Sequence, residues 1–319
     1  MALRAAILAG MKTVFPCIVT RALAALAFLL VLPAAVLAQP STTQGTLVRV
    51  ATPYGPIDIA LNDRDAPRTV ANFLQYVNQG LYDGSFFHRL VRGFVIQGGG
   101  LRVSETGTLS QVPTSTAIAN EFSRSRSNLR GTVAMAKVAS NPDSATSQWF
   151  INLADNSANL DNQNGGFTVF GRVLAPGMVV ADSIGRLNIA NAAGCTNLGN
   201  FAGWLGELPV TSAVNSCPDL KVNSLIRSGT VRVLAPRTSA SVAERVFEFL
   251  EATYPSYVAP ASPSTLQSGA LTYRYYASTN SYLAVSGDRV HALVPAVNSA
   301  VVDIGPLETW LQQAASAGY

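Results

Sequence analysis

The sequence predicts a mainly β protein of two domains behind an N-terminal export signal. Three observations support this prediction. The length of 319 residues allows roughly two domains, period-two apolar alternation opens the first domain at residues 48–61, and further strand patterns follow residue 228. Because 48% of the residues are hydrophobic and only 13% are charged, the chain has enough apolar surface to offset the entropy of ordering, which excludes a disordered protein.

Residues 1–38 have the features of a secretory signal peptide. Basic residues without any acidic residue are followed by an apolar run and a small-residue end: Arg4, Lys12, Arg21, residues 22–32 and Ala38. The apolar run is shorter than the ~20 residues that span a membrane. Translation could start at Met1 or Met11. We therefore expect a periplasmic or secreted protein that begins at Gln39, after cleavage, and is not stably inserted in a membrane.

The charge of the chain argues against a nucleic-acid partner. The whole sequence has 22 Lys and Arg against 18 Asp and Glu, but residues 39–319 keep 19 basic and 18 acidic residues, a net charge of +1. A cluster formed by Arg124, Arg126 and Arg130 is interleaved with Ser and Asn rather than with aromatic residues. This pattern predicts a solvated loop and not a nucleic-acid surface.

Two cysteines follow the signal, Cys195 and Cys217. In an oxidising compartment such a pair in a loop-rich stretch predicts a disulfide, which would stabilise the fold by roughly 3 kcal/mol in the chain-entropy model. The alternative is a pair of reduced thiols. Both histidines, His88 and His291, lie far from the cysteines in sequence, so we expect no metal site and no cofactor.

The first domain is predicted to begin with two strands and a helix. Apolar alternation over residues 48–61 predicts the strands. The following amphipathic segment predicts a helix with Asp65 as its cap, Pro67 in its first turn and Gly80 at its end. Its apolar stripe is expected to pack in the core.

Arg89 lies in an unusual strand pattern within the segment 86–99. On an extended strand Phe87, Arg89 and Val91 share one face, which places a guanidinium among bulky apolar side chains. Burying an unpaired charge is costly, so Arg89 needs a partner. Gln97, which precedes a run of glycines, is the candidate for positioning it. Alone, the segment is equally typical of an ordinary strand pair with a glycine turn.

Four further motifs follow this segment in order: residues 131–137, 144–152, 159–161 and 167–173. Together the five motifs resemble the cyclophilin family of peptidyl-prolyl cis–trans isomerases, and within it the exported bacterial members. The resemblance covers residues 46–185 closely and extends loosely to residue 227. It implies a cyclophilin-like, eight-stranded antiparallel β-barrel capped by two helices, the second near residues 178–184.

The resemblance also implies which residues form the substrate site. Arg89 matches a catalytic position, and the proline-pocket and substrate-contacting positions are matched by Phe94, Val95, Gln97, Ala136, Lys137, Gln148, Phe150, Leu160 and Phe167. Two of these depart from well-known eukaryotic members, in which His stands at Phe167 and Asn at Lys137. These departures put the peptide preference in doubt more than catalysis. His88, next to Arg89, is expected to be structural.

The chemistry of isomerisation requires a fixed hydrogen-bond donor rather than an acid–base pair. Rotation about a peptide bond faces a barrier of ~18–20 kcal/mol, and Xaa–Pro bonds are those in which the cis form is populated. A donor aimed at the prolyl nitrogen binds the twisted state better than the planar one. Arg89 can donate without changing protonation, Phe94, Phe150 and Leu160 would hold the proline ring, and backbone groups near Ala136 would hold the peptide.

Residues 228–319 are expected to form a small α+β domain of unknown role, into which no family resemblance extends. The predicted elements are strands at 230–234, 271–276, 282–285 and 289–294 and helices at about 243–250 and 307–315. Four tyrosines in these strands could form a peptide- or glycan-binding face or simply pack within the sheet: Tyr273, Tyr275, Tyr276 and Tyr282.

The leading hypothesis is an exported peptidyl-prolyl cis–trans isomerase whose domain spans residues 46–227. Its expected partners are proline-containing peptides and unfolded or partly folded exported proteins, whose folding it would assist. The alternative is a peptide-binding chaperone or scaffold in which residues 228–319 dock clients, with little catalytic turnover.

Overall fold

The computed structural model of the protein describes residues 45–214, 216–234, 242–258 and 263–319. The predicted signal peptide lies outside these ranges. Within them the chain forms an eight-stranded and a five-stranded antiparallel sheet, two short strand pairs and five α-helices. No helix in the same ranges is both long and apolar enough to cross a membrane.

The first part of the chain builds the larger sheet. In chain order its elements are β1 (Leu47–Thr52), β2 (Gly55–Leu61), α1 (Pro67–Asn78), β3 (Arg89–Val91), β4 (Val95–Gly98), β5 (Leu101–Val103), β6 (Leu109–Gln111), β7 (Thr132–Met135), β8 (Trp149–Asn152), α2 (Ser157–Leu160), β9 (Val169–Val173), α3 (Ala175–Gly185), β10 (Asn188–Ala190), β11 (Leu208–Val210) and β12 (Val231–Val233). The strands of the sheet run in the order β12-β1-β2-β9-β7-β8-β4-β3.

The larger sheet curls, as the resemblance implies. A bridge between Phe86 and Arg227 joins its two ends, and the Phe87 N–H donates to the Ile226 carbonyl at 3.1 Å. The two expected helices, α1 and α3, pack on this sheet through buried apolar side chains that join its core. The fold class predicted for this part is therefore confirmed.

Helix α1 ends as expected but begins differently. Asp65 makes no side-chain cap, so that prediction is wrong. Instead Glu121, distant in sequence, accepts hydrogen bonds from the Thr69 N–H at 2.7 Å and the Thr69 hydroxyl at 2.8 Å. A carboxylate at this end also interacts favourably with the helix dipole. At the other end Gly80 has a φ of +64°, which permits a left-handed cap.

Strand β12 belongs to the larger sheet and not to the C-terminal domain in which the sequence placed it. It pairs with β1, with Val48 opposite Val233 and Val50 opposite Val231. Apolar alternation identifies a strand without identifying its partner, and β1 would otherwise present unpaired backbone groups at the edge of the sheet. The sheet of the first unit thus extends beyond residue 227.

The C-terminal unit is a five-stranded meander with two helices. Its elements are α4 (Val242–Thr253), β13 (Thr265–Ser268), β14 (Leu271–Tyr276), β15 (Ser281–Ser286), β16 (Arg289–Val294), β17 (Asn298–Pro306) and α5 (Leu307–Ser316). The expected α+β architecture and the strands at β14, β15 and β16 are present. Strands β13 and β17 are not among the predicted strands, and β13 follows a stretch rich in Pro and Ser.

Three of the four tyrosines share one face of this meander. Tyr273, Tyr275 and Tyr282 lie on it by register, and the rings of Tyr275 and Tyr282 are 4.5 Å apart. Tyr276 points to the opposite face, where it is buried and donates to Glu251 at 2.8 Å. Ordinary strand packing therefore accounts for Tyr276.

The two units share a buried network of charges. Arg49 of β1 donates two hydrogen bonds of 2.7 Å to Asp58 of β2 and also pairs with Glu251 of α4. Glu251 accepts from Arg274 at 2.7 Å and from Tyr276. Arg49, Asp58 and Glu251 are at most 1% exposed. Separating the units would leave these charges unpaired, so the network binds one unit to the other.

Glu248, on α4 beside this network, gives stability a predictable pH dependence. Burial raises the pKa of its carboxyl from 4.5 to about 7, although Arg49 and Arg274 oppose the shift. A carboxyl whose pKa is higher in the folded state contributes stability that is present below its unfolded pKa and is lost as the pH rises through about 7. The difference between the free energy of unfolding of Glu248→Gln and that of the native protein should therefore shift by roughly 2–3 kcal/mol in favour of the variant between pH 5 and pH 8.

The measurement for Glu248 is urea unfolding of both proteins at the two pH values. His88 titrates in both proteins, so its contribution cancels in the difference. A constant difference between the two proteins from pH 5 to pH 8 would contradict the raised pKa of Glu248.

Candidate functional site

A cavity of about 320 Å³ opens on the larger sheet and collects most of the predicted site residues. The predicted residues that line it are Arg89, Phe94, Val95, Gln97, Ala136, Lys137, Phe150, Leu160 and Phe167. Asn159 and Gln163 complete the lining. Residues from β3, β4, β8 and α2 thus meet in one place, as the motif order implies.

The floor of this cavity is apolar and rigidly packed. Val95 of β4, Phe150 of β8 and Leu160 of α2 are buried in one hydrophobic cluster, against which Phe94 and Phe167 pack. The rings of Phe150 and Phe167 meet edge to face, with centroids 5.9 Å apart. Such packing fixes the shape of the floor before any ligand arrives.

Lys137 is held at the rim of the cavity. Its Nζ donates to the carbonyls of Asn164 and Gly166, both at 2.7 Å, and lies 4.7 Å from the centroid of the Phe167 ring. Partial burial lowers the pKa of Lys137, an effect that Asp143 partly offsets. The ammonium is therefore tied to the neighbouring loop.

Gln148 is the predicted site residue that does not line this cavity. Its side-chain carbonyl accepts from the Gln97 amide at 2.8 Å, and its backbone carbonyl accepts from the Ala136 N–H at 2.9 Å. It lines instead an adjacent cavity of about 260 Å³. Gln148 thus holds Gln97 and Ala136, two residues that line the first cavity, through hydrogen bonds.

Arg89 lies between the two cavities and lines both. It stands directly opposite Gln97 in the β3–β4 pair, yet Gln97 turns its amide to Gln148. The partner of Arg89 is Glu207, whose Oε2 lies 2.7 Å from the arginine Nε. A carboxylate pairs more strongly with a guanidinium than a neutral amide does. Among the described residues Gln97 makes its side-chain hydrogen bond with Gln148, so a positioning role of Gln97 toward Arg89 stays a prediction.

His88 forms part of the wall of the second cavity. It is 2% exposed, and its ring centroid is 6.1 Å from that of Trp204. Burial lowers the pKa of His88 to about 4. The imidazole is therefore uncharged at neutral pH and adds no positive charge beside Arg89.

Glu207 and Trp204 come from a segment that the sequence motifs do not reach. Cys195 and Cys217 are bonded across it, with Cα atoms 5.4 Å apart, so the predicted disulfide is present. The segment has neither a periodic pattern nor a motif. The signal in the sequence was that Arg89 needs a partner, which does not point to Glu207 in particular.

Comparisons with known proteins agree with this geometry. A family model described as cyclophilin type peptidyl-prolyl cis-trans isomerase/CLD matches residues 47–197. Peptidyl-prolyl cis-trans isomerase A of Dickeya dadantii is 43% identical over 160 residues, which cover 50% of this chain and 80% of that protein. A peptidyl-prolyl cis-trans isomerase of Acinetobacter baylyi is 43% identical over 143 residues, covering 44% of this chain and 73% of the relative.

A solved cyclophilin-type isomerase of Cryptosporidium parvum, determined in the presence of the dipeptide Ala-Pro, aligns with a TM-score of 0.42 and 20% identity. The alignment covers 59% of this chain and 99% of that one. The sequence relationship to the bacterial enzymes is the decisive finding, because it spans most of their length. The chain belongs to the cyclophilin-type peptidyl-prolyl cis–trans isomerase family.

Proposed function

We propose that the cavity lined by Arg89 and Phe150 isomerises Xaa–Pro bonds, with Arg89 as the catalytic donor. The observation that supports this most directly is a guanidinium at the edge of a buried apolar floor. The floor suits a pyrrolidine ring, and the guanidinium suits an amide nitrogen. The two features lie side by side, as the ring and its nitrogen do in a prolyl peptide.

Arg89 would act on the electronic change that accompanies rotation. In the planar bond the nitrogen lone pair is conjugated with the carbonyl, whereas twisting localises it on the nitrogen. A hydrogen bond from Arg89 to that nitrogen is therefore stronger in the twisted state than in the planar one, and such a difference accelerates the reaction. The step involves no proton transfer, since the guanidinium stays charged throughout.

The rest of the site would hold the two sides of the bond. Phe94, Phe150 and Leu160 keep the proline ring in place while the preceding carbonyl turns. The Ala136 N–H is already bonded to the Gln148 carbonyl. The Ala136 carbonyl and the next N–H are therefore the backbone groups proposed to hold the peptide chain.

The test of this function is to measure the cis–trans exchange rate of an Ala-Pro peptide by exchange NMR, with the full chain added in catalytic amount. Uncatalysed exchange takes tens to hundreds of seconds at 25 °C. We expect added protein to shorten this time in proportion to its concentration. An exchange rate that does not depend on protein concentration would contradict the proposal.

We further propose that the protein works outside the cytoplasm, on unfolded or partly folded exported proteins. Two observations support this. Residues 1–38 combine basic residues, an apolar run and a small-residue end. The Cys195–Cys217 disulfide is of a kind that persists in oxidising compartments.

Intact-mass analysis of the full chain produced in an exporting bacterium tests the location. We expect the exported fraction to begin at Gln39 and to contain the disulfide. Leu29→Arg, which interrupts the apolar run, should leave uncleaved protein in the cytoplasm. Export of both proteins to the same extent would contradict the signal-peptide assignment.

A further inference from the structure

We infer that Glu207 is a positioning residue for Arg89, a role that rests on the proposed function of the cavity. The Arg89 Nε and the Glu207 Oε2 are 2.7 Å apart, and the two side chains are 37% and 46% exposed. The pair occupies the edge of the guanidinium at Nε. No ion pair or hydrogen bond of the two terminal nitrogens of Arg89 is found within the described residues, which leaves them for the peptide in this proposal.

The backbone of Glu207 is fixed beside Arg89. Its carbonyl accepts a hydrogen bond of 2.7 Å from the N–H of Leu90, the residue after Arg89. Strand β11 follows at once and pairs with β10. The carboxylate therefore starts from a defined position relative to β3.

Buried neighbours anchor the same segment to the sheet. Leu205 and Leu208, which flank Glu207, are at most 1% exposed and pack in a cluster with Phe86 and Leu101. The Cys195–Cys217 bond closes the segment on itself. Both anchors and the disulfide restrict the positions that the Glu207 side chain can reach.

Glu207 also lies outside the family match, which ends at residue 197. The contact with Arg89 is thus made by a residue that follows the matched range. In that domain Gln97, the residue opposite Arg89, is bonded to Gln148. Glu207 occupies the role that would otherwise fall to a neighbouring side chain of the sheet.

An ion pair at this place favours turnover rather than binding. A free arginine side chain samples many rotamers, and pairing at Nε reduces their number. The terminal nitrogens of Arg89 are then already oriented toward the prolyl nitrogen when the bond twists. The apolar floor binds the planar peptide without help from Arg89. Loss of Glu207 should therefore lower kcat and leave KM unchanged.

The experiment compares Glu207→Ala and Glu207→Gln with the native full chain on an Ala-Pro peptide. Exposed ion pairs contribute little, so we expect Glu207→Ala to lower kcat by up to about fivefold. Glutamine keeps a polar oxygen within the same reach of Arg89, so Glu207→Gln should recover part of the loss. The matched control is Glu105→Ala, which breaks a 2.7 Å pair with Arg227 away from both cavities and should not change kcat.

A direct readout is the NMR signal of the Arg89 Nε–H, assigned by its absence from Arg89→Ala. We expect Glu207→Ala to move this signal, because the carboxylate oxygen 2.7 Å from Nε is lost, at an unchanged melting temperature. Glu105→Ala should leave it in place. Native kcat in both Glu207 variants, a change in KM alone, or an unmoved Nε–H signal would each overturn the inference.

The outcomes separate this inference from the proposed function. If the native chain does not accelerate exchange, the proposed function fails first, and the Nε–H signal still reports the contact. If Arg89→Ala abolishes activity while the Glu207 variants equal the native chain in kcat and Nε–H signal, the positioning role alone is wrong.

Discussion

Replacing Arg89 with alanine should lower kcat/KM for an Ala-Pro peptide by about 100- to 1,000-fold, the range typical of removing one preorganised donor. The expectation follows from the position of the guanidinium at the edge of the apolar floor, beside the proposed place of the twisted nitrogen. The variant should remain folded, because the Arg89 side chain is 37% exposed and its pair with Glu207 is accessible to solvent.

Two further arginine variants sharpen this test. Arg89→Lys keeps the charge but loses the planar fork, so it should recover little of the activity. Arg92→Ala is the matched control, since Arg92 lies three residues after Arg89 but lines neither cavity and donates to the carbonyls of Arg186 and Leu187. We expect native kcat/KM for Arg92→Ala. Equal activity of Arg89→Ala and Arg92→Ala would show that Arg89 is not the donor.

Replacing Glu251 with alanine should lower the free energy of unfolding by about 3–5 kcal/mol, the cost of removing one partner from a buried ion pair. Glu251 is fully buried and receives Arg49 from one unit and Arg274 from the other. Without it, two guanidinium groups remain buried with less compensation. Glu251→Gln should be nearly as destabilising, because the charge is lost although the shape is kept.

Urea unfolding followed by circular dichroism measures this effect, with Glu105→Ala as the control for an exposed pair. Glu105→Ala should unfold at the native urea concentration. A loss below about 1 kcal/mol for Glu251→Ala would be typical of an exposed pair and would contradict the role of the network. The network also bears on how client docking can be tested. A fragment of residues 46–227 lacks β12 and every C-terminal partner of Arg49, so a loss of activity in that fragment would not isolate a docking role of residues 228–319.

Much of the site was predictable because its residues lie in motifs of fixed spacing. Apolar alternation located β1 and β2, and the resemblance placed Phe94, Phe150 and Leu160 in one cavity. These contacts depend on short-range register within and between neighbouring strands, which periodicity reveals. The disulfide was likewise predictable, since only two of the three cysteines, Cys195 and Cys217, follow the predicted signal peptide.

The remaining contacts depend on which distant segments meet, which periodicity does not reveal. The sequence identified β12 as a strand but not its pairing with β1. It indicated that Arg89 needs a partner, but not that Glu207, 118 positions further along the chain, forms an ion pair with it. The union of the two units through Arg49 and Glu251 left no sign in the sequence, since each residue alone resembles a surface charge.

The network between the units has a consequence for the order of folding. Arg49 and Glu251 are separated by 202 positions, and the buried pair of Ser85 and Ser228 by 143. Contacts of such sequence separation slow folding, because long loops must close before the contacts stabilise anything. The first unit therefore cannot reach its final state until α4 has been synthesised. A protein that is proposed to accelerate the folding of others therefore completes its own folding late. Its nascent chain stays incompletely folded for most of its synthesis.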